Sequence, residues 1–155
     1  MSKTVYKVLT YADLDNSRTT FQGIHEELKV TDVVGISRGG LPVSVLASHE
    51  LSVPMSIVNF QTMDGNDTEV DFCLNKLSNN NDPKHILICD DIFDSGLTIA
   101  TVKDYFLTRY PDVTITCYAL IKDEKYIEGD REYVNATKET HEWVVFPWEP
   151  IQEGM

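Results

Sequence analysis

The chain has 155 residues, enough for one domain with a full core, and its 42% hydrophobic and 25% charged shares are ordinary for a soluble globular protein. No apolar run nears the ~18–20 residues a membrane helix needs, so no membrane partner is expected. The net charge of −12 and pI near 4.6 exclude the basic footprint of a nucleic-acid binder, and they mean that an anionic ligand is repelled at long range.

Residues 5–10 read as a short strand and residues 11–28 as a helix, with Leu14, Phe21, Ile24 and Leu28 near helical spacing. Residues 33–37 form a buried strand, Arg38-Gly39-Gly40 a turn, and Leu41 to about Leu51 a helix with Pro42 near its first position. Another strand spans 54–60. The polar stretch 61–84 carries breakers at 64–67 and 78–83, with a short strand at 68–74 between them, and predicts either a mobile flap or a small hairpin. An apolar strand at 86–89 and a helix after Ser95 follow, then a strand at 113–121, a polar excursion at 126–138, and a short apolar strand and tail at 143–149. Strands alternating with helices predict an α/β fold: a three-layer parallel sheet flanked by helices, with ligands at the carboxyl ends of strands.

Residues 86–98, I-L-I-C-D-D-I-F-D-S-G-L-T, carry the most chemistry. Asp90 and Asp91 end the strand, Asp94 follows, and Ser95-Gly96-Leu97-Thr98 opens the helix. Backbone N–H groups at such a helix start hold phosphate, and the carboxylates can accept from vicinal hydroxyls or face a divalent cation. A calcium loop counted from Asp90 fails, because its third and twelfth positions are Ile92 and Thr101. The second element is Ser37-Arg38-Gly39-Gly40, again between strand and helix, where glycines permit close backbone approach and Arg38 suits phosphate oxygens. Cys73, Cys89 and Cys117 lack zinc-site spacing and read as free thiols of a reducing compartment; with residues 1–7 lacking a signal-peptide core, a cytoplasmic setting is expected.

The 86–98 segment resembles the 5-phosphoribosyl pyrophosphate (PRPP) signature of type I phosphoribosyltransferases, residue type by residue type. The chain is most similar to the short 6-oxopurine (xanthine, guanine, hypoxanthine) members. The resemblance implies one domain over 1–155 with a flexible lid at about 61–84 and a base-binding hood at about 122–150. It implies that Asp90 and Asp91 hold the ribose hydroxyls, with Asp91 facing Mg²⁺. Asp94, Ser95, Gly96, Leu97 and Thr98 would cradle the 5′-phosphate. Ser37, Arg38, Gly39 and Gly40 would contact pyrophosphate across a non-proline cis peptide at Ser37–Arg38. Asp94 would manage the purine proton. Lys122 would meet the 6-oxo group, Trp143 would stack on the base, and the main chain at Val144 and Trp148-Glu149 would lie near it. PRPP and a purine base are the implied partners, with Mg²⁺ as cofactor, a dimer or tetramer as assembly, and no nucleic acid. The stretch Asn59-Phe60-Gln61-Thr62 departs from the Ser-Tyr pair of many relatives, so either the lid closes differently here or it contributes less. The same motifs also fit transfer to another base, or a PRPP-sensing regulator of the same fold.

Overall fold

Two apolar stripes on alternate faces of the buried strands set the architecture. In the computed structural model, which describes residues 3–63, 67–73, 82–151 and 153, strand β2 (Asp32–Ser37) directs Val33 to one core and Val34 and Ile36 to another. Strand β5 (His85–Phe93) does the same with Leu87 and Cys89 against Ile86 and Ile88, and β6 (Thr114–Asp123) with Tyr118 and Leu120 against Cys117 and Ala119. A two-residue side-chain period with both faces apolar is the mark of a sheet covered on both sides. Helices α2 (Ser17–Leu28) and α3 (Gly40–Leu51) cover one face through Phe21, Ile24, Val43, Ala47 and Leu51. Helix α4 (Leu97–Arg109) covers the other through Ile99, Val102 and Phe106.

The main sheet runs β4-β3-β2-β5-β6-β7, with β3 (Met55–Met63), β2, β5, β6 and β7 (Glu132–Lys138) parallel. The edge strand β4 (Asp67–Cys73) is antiparallel to β3. The predicted three-layer α/β sheet is therefore present, and within 61–84 the described residues 61–63 and 67–73 pair as antiparallel strands. Residues 64–66 and 74–81 of the expected lid lie outside the described residues. A second, two-stranded parallel sheet joins β1 (Val5–Val8) to β8 (Glu142–Val145). No helix among the described residues is long and apolar enough to cross a membrane.

Two sequence expectations need correction. The helix at 11–28 is broken into α1 (Tyr11–Asp15) and α2 at Asn16. Thr10 and Asp13 close α1 with a capping box, and Ser17 starts α2 fully buried, its hydroxyl accepting from Tyr118 Oη at 2.8 Å and Asn135 Nδ2 at 3.2 Å. The excursion at 126–138 contains a real strand, β7, on the sheet edge beside β6.

The β7 end is fixed by a buried ion pair. Lys138 Nζ lies 3.2 Å from Asp123 Oδ2, with both side chains under a tenth exposed, and it donates to the Glu142 carbonyl at 2.9 Å. Asp123 also accepts from the Lys125 N–H at 2.9 Å and the Thr140 hydroxyl at 2.9 Å. These bonds, the Lys125 N–H foremost, hold its carboxyl below the usual carboxylate range. The network ties the end of β6 to the loop that delivers β8. Lys138→Met leaves Asp123 buried without its cation, at a cost of about 3–5 kcal/mol. Thermal unfolding at pH 7 is expected to show Tm falling by roughly 10 °C; a fall under about 3 °C would mean the pair carries no weight.

Candidate functional site

Adjacent parallel strands deliver both sequence motifs to one edge of the sheet. Strand β2 ends in Ser37 and turns through Arg38-Gly39-Gly40 into α3, while β5 carries Asp90 and Asp91 near its carboxyl end and, continuing past the expected stop at residue 89, runs to Phe93 before the bend that starts α4. They pair in register, with Gly35 opposite Cys89. Between them lies a cleft of about 290 Å³, lined by Ser37, Gly39, Asp90, Asp91, Asp94, Ser95, Gly96 and Thr98, with Ile36, Ile92, Phe93 and Ile99 as its apolar floor. This is the crevice beyond strand carboxyl ends where open α/β sheets bind ligands.

The turn crosses the acid pair with no room to spare. A Cβ on Gly39 would stand 1.9 Å from Asp91 Oδ2, and one on Gly40 would stand 2.6 Å from the Cys89 carbonyl. Only glycine permits this approach. The Ser37–Arg38 peptide bond is cis, as the resemblance implied. Gly96 has φ +87°, and a Cβ there would lie 2.8 Å from Tyr126 Cε2. Gly96, not Ser95, is the N-cap residue of α4; Ser95 Oγ instead accepts from the Leu97 N–H at 3.3 Å. The first-turn N–H groups of an α-helix lack intrahelical acceptors, a chemistry that suits such an end to an anion.

Asp90 is buried and Asp91 half-buried, and each is bent back on the backbone: the Asp91 N–H donates to Asp90 Oδ1 at 2.9 Å, and the Ile92 N–H to Asp91 Oδ1 at 2.8 Å. Burial pushes the Asp90 carboxyl well above the usual range, and the neighbouring Asp91 charge pushes it further. Burial raises Asp91 too, and the Glu149 carboxylate, brought close by the tail, adds to the effect. Glu149 is fixed by a tight turn in which the Phe146 N–H donates to its Oε1 at 2.9 Å.

The other expected residues lie around this cleft rather than in its lining. Arg38 is exposed, with no side-chain partner among the described residues. Gly40 is buried under the turn, and Leu97 points outward at 57% exposure. Lys122 lies one residue before the end of β6, in register with the cleft residue Phe93, its Nζ 3.1 Å from Glu128 Oε1 and donating to the Tyr126 carbonyl at 3.2 Å. Trp143 sits on β8 opposite Tyr6, 62% exposed, and Val144 is buried there. Sequence reasoning missed Asn59, whose Oδ1 accepts from the Ser37 hydroxyl; the β2–β3 register, which places Asn59 beside Ser37, is the signal that finds it. It also missed Tyr126, hidden in the polar excursion.

Comparison with known proteins agrees with this geometry. Residues 9–153 match the family model described as "Phosphoribosyl transferase domain". A stretch of 42 residues is 45% identical to the hypoxanthine-guanine phosphoribosyltransferase of Aquifex aeolicus (strain VF5), covering 27% of this chain and 24% of that protein. Among solved structures, the purine phosphoribosyltransferase from Pyrococcus horikoshii Ot3 superposes with TM-score 0.76 at 22% identity, over 96% of this chain and 97% of that one. The Helicobacter pylori xanthine-guanine-hypoxanthine phosphoribosyltransferase gives 0.74 at 17% identity, over 93% of each chain.

The raised acid pair has a pH signature. Asp90 binds its proton more tightly folded than unfolded, so folding stability falls as pH rises from the unfolded pKa of about 3.9 through the higher folded value, then levels. Asp90→Asn removes that loss. In ligand-free, chelator-treated protein, its Tm is expected to exceed wild type by several °C at pH 8 (roughly 2–4 °C per kcal/mol at this size) and to converge near pH 4. Parallel Tm curves would contradict the assignment.

Proposed function

The chain belongs to the phosphoribosyl transferase family, and on that premise we propose that it transfers ribose 5-phosphate from PRPP to a 6-oxopurine, releasing pyrophosphate. The observation that carries this reading is the cleft itself, in which a glycine turn, a buried acid pair and an anion-holding helix start face one another. A phosphorylated sugar bearing a second anionic group and vicinal hydroxyls uses all three.

In this reading the 5′-phosphate rests on the amides and hydroxyls of residues 94–98, at the positive end of α4. Asp90 and Asp91 accept from the ribose 2′- and 3′-hydroxyls. Ser37, held by Asn59, and the amides of Gly39 and Gly40 receive pyrophosphate, and Arg38 swings from solvent to its oxygens. The donor set fits Mg²⁺ arriving with the substrate: hard carboxylate oxygens at Asp91, and no cluster of three or more acidic, His or Cys ligands among the described residues. When bound, the cation neutralises charge on the departing pyrophosphate.

The bond from the anomeric carbon to the pyrophosphate oxygen breaks, its electron pair leaving with pyrophosphate, and a bond to a purine ring nitrogen forms. Positive charge builds on the sugar ring, and the nearby carboxylates stabilise it. The ring proton passes to the carboxylate of Asp94, which is exposed at the cleft rim. Lys122 donates to the 6-oxo group, which disfavours adenine because its 6-amino group is itself a donor. Trp143 supplies a face for the base. Buried free thiols at Cys89 and Cys117 suit a reducing, cytoplasmic setting.

The deciding assay is pyrophosphate release with PRPP, Mg²⁺ and each base in turn. Release with guanine, xanthine or hypoxanthine and not with adenine or pyrimidines supports the proposal. Release with adenine alone reassigns the base, and salt-dependent nucleic-acid binding without release sinks it. Asp94→Asn is expected to lower kcat by about 10²–10⁴-fold with the KM for PRPP little changed; unaltered turnover removes its proton-transfer role. Trp143→Ala is expected to raise the KM for base about three- to tenfold, more than that for PRPP; equal effects on both substrates argue against stacking.

A further inference from the structure

We infer that Glu128 and the Tyr126 carbonyl form a latch on Lys122, through which Glu128 sets the apparent affinity for the base without touching it. The inference rests on the proposal that Lys122 reads the 6-oxo group. A lysine ammonium carries three donors. Here Nζ faces the Tyr126 carbonyl at 3.2 Å and Glu128 Oε1 at 3.1 Å, both from the segment between β6 and β7. A base oxygen must compete for this cation.

The two partners are held very differently. Tyr126 is anchored on four sides. Its N–H donates to the Asp123 carbonyl at 3.0 Å, and its hydroxyl donates to Glu132 Oε1 at 2.7 Å. Its ring lies 5.2 Å from that of Phe93, and its edge covers Gly96, where a Cβ would be only 2.8 Å away. Its carbonyl is therefore a fixed acceptor. It also links Lys122 to the start of α4, since one residue packs on the helix-start glycine and holds the lysine. Glu128 makes no other hydrogen bond or ion pair among the described residues, and its side chain is 37% exposed against 19% for Lys122. It is the partner that a base displaces. An ion pair at this exposure changes an equilibrium by about two- to fivefold.

Glu128 is thus a positioning residue: it parks Lys122 against the wall until an acceptor arrives, which raises the KM for the base and leaves the bond-making step alone. The test is steady-state kinetics of the full chain with guanine, xanthine and hypoxanthine at saturating PRPP and Mg²⁺. Glu128→Gln is expected to lower the KM for base about two- to fivefold, with kcat and the KM for PRPP within about twofold of wild type. Glu128→Asp, which keeps the charge, is expected to stay nearer wild type. Lys122→Met is expected to raise the KM for base, and in that background Glu128→Gln is expected to add nothing. A matching fall in the KM for PRPP would make Glu128 a general repulsive charge and overturn the latch. So would an effect of Glu128→Gln that persists without Lys122, or no effect where Lys122→Met has one. If Lys122→Met itself leaves base kinetics untouched, the underlying reading of Lys122 fails instead.

Discussion

Everything at the site depends on one steric fact: the backbone of the turn at 38–40 lies against the end of β5 at a distance that admits no side chain. The parallel pairing of β2 with β5 sets that distance, because both strands end in the same layer and the turn has to cross the carboxylates to reach α3. Gly39 touches the Asp91 carboxylate and Gly40 the Cys89 carbonyl. The electrostatic consequence follows from the packing. With a peptide wall on one side and the apolar floor of Ile36, Ile92 and Phe93 on another, the acid pair loses water, and both carboxyls hold their protons more tightly. The glycines thus make the acids reactive towards hydroxyl donors and cations by drying them.

That arrangement also bears on the conflict between a chain of net charge −12 and the polyanionic ligand proposed for it. Long-range repulsion is screened over about 8 Å at physiological salt, so the local groups decide what is bound. Burial makes the charged form of the acid pair costly, so a cation that reaches it gains more. In the proposed reading the anion would meet backbone N–H groups at the start of α4 and, from the other side, the guanidinium of Arg38, which is exposed and has no partner among the described residues. Fixed dipoles and an exposed guanidinium are the local positive elements that this reading uses in place of a basic surface.

Much of this was legible in the sequence for a physical reason: in a parallel sheet the chemistry collects where strand becomes helix, and those junctions carry their own composition. The composition of Ser37–Gly40 and of Asp90–Thr98 is enough to place both on the same edge. What stayed hidden was set by tertiary pairing. Strand β7 is written E-Y-V-N-A-T-K, a polar string with its ends buried. Glu132 is buried because Tyr126, Gly129 and Lys103 surround its carboxylate, and Lys138 because Asp123 and three carbonyls do; neither looks like core in isolation. The break at Asn16 left no trace, since Leu14, Phe21 and Leu28 keep helical spacing across it. Asn59 and Tyr126 gain their roles from register and from packing on Gly96, which no local pattern announces.

The neighbouring strand ends show how one fold separates scaffold from chemistry. Asp123 at the end of β6 and Asp90 near the end of β5 are both buried carboxylates on adjacent parallel strands. Asp123 is given a cation, a hydroxyl and an amide, and its carboxyl is held low. Asp90 is given only its neighbour's amide and a second acid, and its carboxyl is pushed high. Hydrogen bonding alone does not separate them, since no buried side-chain polar atom among the described residues lacks a partner. Charge compensation does. A fully compensated carboxylate can only be destabilised by a new ligand, whereas an uncompensated one gains from any cation or hydroxyl that reaches it. The fold therefore leaves an uncompensated carboxylate at β5, beside the open cleft, and compensates the one at β6, where the network ties the strand to the loop that delivers β8.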